Sequence, residues 1–179
     1  MLAPYFGSSV YVWGSIIAVF MLALSIGYLS GGKFSLYNAS LNRYGWIFIV
    51  AAISLLPTIF YSVEIFEFVF ERIEDPRYGS LVASTLVFLV PSIIMGMIAP
   101  YSVRILIVSV DTSGHTAGFL YFVSTLGSAI GTILTSFYLV LWMEVNQILW
   151  FTFSILFSGG CLAFIVARVE NQQTKPSVA

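Results

Sequence analysis

The chain has 179 residues, of which 59% are hydrophobic, 17% aromatic and 8% charged, with a formal net charge of −1. A water-soluble domain carries about 25% charged residues, so this chain cannot cover its own surface in water, and a bilayer protein is the reading that remains. The near-neutral charge argues against a nucleic-acid partner, and a single cysteine (Cys161) with a single histidine (His115) excludes an internal disulfide and a cysteine metal cluster.

A membrane-spanning helix needs roughly 20 apolar residues, because the hydrocarbon core is ~30 Å thick and a helix rises 1.5 Å per residue. Five stretches qualify, and all are apolar on every side, which favours helices over barrel strands. The first covers about 9–29 and ends at Ser30-Gly31-Gly32. It is too long for a cleavable signal, lacks a preceding basic region, and is soon followed by a second apolar stretch. Gly14, Ala18 and Ser25 lie on approximately one of its faces, and Gly27 and Gly31 stand four apart. Both patterns favour close helix packing through small residues.

The second stretch covers about 45–64, extendable to Phe70, and contains Pro57. Glu64, Glu67, Glu71 and Glu74 recur at intervals of three or four and make an acidic stripe near Arg72 and Arg77. The stripe reads as a solvated helix end with surface ion pairs, or as an outward-facing collection site for cations, polyamines included. Glu64 is the sharper candidate, since an ionisable group within an apolar zone is functional by default. The turn from Glu74 to Gly79 leads to the third stretch, about 81–101, with Pro91 and Pro100. The three prolines predict kinks.

The fourth stretch, about 117–141, follows Asp111-Thr112-Ser113-Gly114, where Ser113 or Thr116 is the expected cap. It is the least lipid-like of the five. Tyr121, Thr125, Ser128, Thr132 and Thr135 share a face, and Ser124, Gly127 and Gly131 form a small-residue stripe beside it. Helix packing is one reading; a polar path or substrate surface is the other. The fifth stretch, about 148–167, follows a link so short that the last two helices should be antiparallel neighbours. Residues 1–169 thus form one membrane domain, and 170–179 a polar tail.

Lys33, Arg43, Arg104, Arg168 and Lys175 fall on one side of the membrane, and Arg72 and Arg77 on the other. The positive-inside bias puts the first group, with the C-terminus, in the cytoplasm. Tyr5, Tyr11, Trp13, Tyr44, Trp46, Tyr101, Trp142 and Trp150 sit near helix ends, where amphipathic rings prefer to lie. His115 reads as a solvated loop histidine. The glycosylation sequon at Asn38 is discounted, because it falls on the cytoplasmic side. The chain contains no glycine-rich nucleotide fingerprint, P-loop or HExxH, and no GxSxG. No catalytic residue, cofactor or metal site is expected.

Four segments taken together resemble a known family: Leu2-Ala3-Pro4-Tyr5-Phe6-Gly7-Ser8-Ser9-Val10-Tyr11-Val12-Trp13, Leu24-Ser25-Ile26-Gly27-Tyr28-Leu29-Ser30-Gly31-Gly32-Lys33, Pro100-Tyr101-Ser102-Val103-Arg104, and the run from Gly118 to Thr132. They are similar to the membrane half of bacterial spermidine synthase-like fusion proteins, over about 1–169. In that family a helical domain related to the major facilitator superfamily precedes a cytoplasmic aminopropyltransferase-like domain. The resemblance implies an all-α polytopic bundle like half of a facilitator fold, in a bacterial cytoplasmic membrane. It also implies an upstream helix before the Leu-Ala-Pro segment, making six, and a synthase-like domain on another chain, so that this chain is not itself an enzyme.

Three functions are compatible with these features. The chain is a membrane module that anchors, or supplies polyamines to, a separate spermidine synthase-like protein. Alternatively it is an accessory subunit of a larger membrane complex, docking through its small-residue faces. The third reading is a transporter of polyamines or other small molecules that works as a homo-oligomer.

Overall fold

The computed structural model describes residues 1–37, 39–107 and 110–173. Asn38, Lys175 and the rest of the tail from residue 174 lie outside the described residues. Every regular element described is helical: α1 (Ala3–Phe6), α2 (Val10–Leu36), α3 (Leu41–Ser54), α4 (Leu56–Arg72), α5 (Pro76–Gly96), α6 (Ile98–Leu106), α7 (Val110–Leu134), α8 (Val140–Trp142) and α9 (Val145–Gln173). One π-helical turn, Thr135–Leu139, joins α7 to α8. Five continuous or near-continuous stretches among the described residues are long and apolar enough to cross a membrane: Val10–Leu36, Leu41–Arg72, Pro76–Leu106, Ser113–Trp142 and Val145–Glu170.

Each span runs beyond its expected limits at one end or both, and local chemistry accounts for several of the boundaries. Ser30-Gly31-Gly32 does not end α2; Ser30 and Ser35 hydroxyls donate to carbonyls three residues back and the helix continues to Leu36. Ser40 caps α3 by accepting the Arg43 N–H at 3.4 Å, and Asp75 caps α5 by accepting the Arg77 N–H at 2.9 Å. Pro57 cannot donate to the Ile53 carbonyl, and the second span divides at Leu55. The third divides at Met97, just before Pro100 in the first turn of α6, whereas Pro91 stays within α5. Ser113 and Thr116 lie inside α7, which starts at Val110, ahead of the expected cap.

Packing follows glycine. A Cβ built on Gly27 would stand 2.4 Å from the Ile93 carbonyl oxygen, and one on Gly31 would stand 2.6 Å from the Met97 Cα. The buried face of α2 (Val19, Ala23, Gly27, Gly31, Ser35) therefore lies backbone to backbone against α5 and the start of α6. The second close pair is α3 with α9, where a Cβ on Gly45 would be 3.1 Å from the Gly160 carbonyl oxygen and one on Gly160 would be 2.8 Å from Ile49. Interior hydroxyls bond across the first group of helices: Ser80 Oγ donates to Ser15 Oγ at 3.2 Å, and Thr58 Oγ1 to the Val87 carbonyl at 2.9 Å. The short link at Met143 and Glu144 does not make α7 and α9 packed neighbours. Helix α9 is drawn onto α3 by Gly159 and Gly160, while α7 touches the bundle chiefly at α6.

The two ends of the bundle differ in charge. Glu67, Glu71, Glu74, Asp75 and Glu144 gather at the end that also holds α1, where Met1 and Tyr5 share a depression with Glu144. At the opposite end are Lys33, Arg43, Arg104 and Arg168, where Ser40 and Asn42 share a depression with Arg104 and Glu170.

Candidate functional site

Helix α7 carries the polar and small residues singled out above, and it stands apart from the bundle. No residue in its most apolar stretch is buried inside the molecule. A side chain added at Gly127 or Gly131 would meet nothing within 4 Å. A groove of about 430 Å³ separates α7 from α2, α5 and α6. Leu24, Tyr28, Ala99 and Ser102 line one wall, and Tyr121, Ser124 and Ser128 line the other. At 100° per residue, Gly131 and Thr135 project within about 20° of Ser124, so the small, hydroxyl-bearing face of α7 is the face turned to the groove. Thr125 is exposed outside the groove lining. Thr132 turns its hydroxyl back to the Ser128 carbonyl at 2.8 Å, leaving a methyl group outward.

The groove wall is fixed at the basic end by an aromatic cluster that the sequence does not announce. Tyr101 is not an interfacial ring at the surface; it is 0% exposed, stacked on Tyr44 at 5.8 Å and tilted against Phe34 at 6.0 Å. Its hydroxyl accepts the Ser40 N–H at 3.2 Å and donates to the Ser40 carbonyl at 3.4 Å. Tyr44 and Ser102 hydroxyls meet at 2.6 Å. The α2–α3 connection is thereby pinned to α6, which holds Ser102 toward the groove.

Glu64 and Glu67 are elsewhere. Both are exposed on α4, with Glu64 beside Tyr61, Phe68 and Leu86 on an outer flank. Tyr5 donates to Glu67 at 3.4 Å. Partial burial of Tyr5, then the carboxylates of Glu67 and Glu64, raise its phenol above the ordinary tyrosine value. Arg72 lies over the Phe68 ring at 3.7 Å, and Arg77 over Tyr11 at 4.3 Å. The acidic stripe and the α7 face thus form two separate surfaces. Gly14 and Ala18 are exposed on the side of α2 turned away from α5. Gly96, Gly45, Gly159 and Gly160 complete the close contacts; of these, only the Gly159-Gly160 pair, set inside an apolar run, carries a signal in the sequence.

Fold and composition define a class, that of polytopic helical membrane proteins with five spans among the described residues. The chain matches no protein-family model, no curated protein and no solved structure.

Proposed function

We propose that this chain is a non-catalytic membrane module completed by a partner: one transmembrane helix of another subunit inserts between α7 and the α2–α6 wall. The open, small-residue face of α7 carries this reading, since Gly127 and Gly131 meet nothing within 4 Å and the serines beside them line a groove that lipid or another helix must fill. Ser124 and Ser128 give the incoming helix hydrogen-bonding groups, and Gly131 lets its backbone approach closely. In the orientation set by the positive-inside bias, the basic end faces the cytoplasm. The resemblance to spermidine synthase-like proteins supports an aminopropyltransferase-like partner at that end, beside the end of α9. A transporter reading would require a second copy to enclose the groove, and Glu64 on its outer flank lies away from that route.

Purification from the native membrane in mild detergent, followed by native mass spectrometry, tests the proposal. The 19.8 kDa chain is expected to fly with at least one other membrane polypeptide. A heavier version of this chain with its own additional helix, and no partner, would refute docking in trans.

A further inference from the structure

A second cleft, on the other side of α2, has a different chemistry. It encloses about 360 Å³ where α2, α3 and α5 meet. Val50, Ile94 and Met97 supply apolar walls, Phe34 and Trp46 form the rim, and the one charged lining group is Arg43. Arg43 sits in the first turn of α3 at the basic end, and Val50 lies seven residues deeper, about 10 Å into the span. The cleft therefore has a cationic mouth at the membrane boundary and a hydrocarbon floor. Arg43 is held there from two sides, donating to the Tyr37 carbonyl and lying 6.0 Å from the Phe34 ring centre. Trp46 is anchored edge-on to Phe164 of α9 at 5.7 Å, so the rim is braced by a second helix. Lys33, in the last turn of α2, adds positive charge at the same end of the bundle.

We infer that this cleft binds one anionic phospholipid, its phosphate on Arg43 and one acyl chain along Val50, Ile94 and Met97. Charge complementarity selects this occupant. A guanidinium at the head of an apolar slot matches an amphiphile whose negative group and hydrocarbon are covalently joined. A zwitterionic lipid such as phosphatidylcholine would present its phosphate beside a choline cation that offsets the attraction to Arg43, and a soluble phosphate ester would meet Arg43 without filling the slot. The inference rests on the chain being embedded in lipid, and it is independent of the α7 groove.

The test is native mass spectrometry of the delipidated, detergent-purified full chain titrated with phosphatidylglycerol, phosphatidylcholine or glycerol 3-phosphate. One phosphatidylglycerol should be retained with a preference of about fivefold over phosphatidylcholine, the size expected for one basic group at a membrane surface. Arg43→Gln should erase the preference. Val50→Trp, which blocks the floor and leaves Arg43 in place, should erase retention, and Arg104→Gln should change neither. Equal retention of both lipids, or a preference that survives Arg43→Gln and Val50→Trp, overturns the inference. Effective competition by glycerol 3-phosphate also overturns it, by reducing the site to a phosphate contact. A chain that stays soluble without detergent and retains no lipid overturns the membrane reading beneath it, an outcome distinct from the others.

Discussion

Leucine at Gly27 is expected to eliminate the folded protein, and alanine there to cost about 1–3 kcal/mol, the range for overpacking a close contact. A single added carbon would stand 2.4 Å from the Ile93 carbonyl oxygen and 2.9 Å from the Gly96 Cα. Both are backbone atoms, so no rotamer change relieves the clash; α2 and α5 must move apart. Their separation would also disturb the Ser15–Ser80 hydrogen bond that spans the same pair of helices. Gly14 and Gly32 serve as controls on the same helix, because a Cβ at either meets nothing within 4 Å. Alanine at these positions should leave stability unchanged or slightly raised, in line with helix propensity. Tryptophan-fluorescence unfolding in mild detergent reads all four variants. Equal losses at Gly14 and Gly27 would contradict the α2–α5 contact.

The second large effect is opposite in kind. Leucine at both Gly127 and Gly131 should leave the isolated chain within about 0.5 kcal/mol of its original stability, as for substitutions away from packed features. Neither position has a neighbour within 4 Å. Recovery of the partner subunit should nevertheless fall at least about tenfold, because the added side chains stand where a helix backbone must approach. Quantitative co-purification against Gly14→Leu, on an open face away from the groove, separates this result from a general effect of bulk. Unchanged recovery would remove α7 from the interface. Loss of the folded chain would show that the α7 face is already packed.

The five spans are legible in the sequence because the bilayer imposes a length and an apolarity that few other contexts demand. Helix ends are less so. Gly31-Gly32 has the composition of a stop, yet Gly31 is spent on the approach of Met97 and the helix runs on. The kinks follow the same logic: Pro57 and Pro100 coincide with divided spans, whereas Pro91 is absorbed within α5. Gly14–Ala18 and Gly27–Gly31 have the same spacing in sequence, but thirteen residues turn a helix through about 220° beyond whole turns. They therefore face different neighbours, and which of them meets α5 is a fact about tertiary pairing that periodicity cannot supply. Tyr101 illustrates the same gap. Its place near a helix end suggests the membrane interface, and only the stacking of Tyr44 and Phe34 around it shows that it is interior. Chain connectivity misleads as well: a tight link joins α8 to α9, yet the glycine pair of α9 seats it on α3.

The most direct test of the account is the lipid accessibility of α7, read by oxygen relaxation of spin labels placed singly at positions 120–132 in a Cys161→Ser background. In the isolated, reconstituted chain, accessibility should be uniformly high along the helix. In the assembly taken from the native membrane, it should oscillate with the helical period and fall to minima at Ser124, Ser128 and Gly131. Uniform accessibility in both preparations would contradict a docked helix, and oscillation already present in the isolated chain would contradict an open groove.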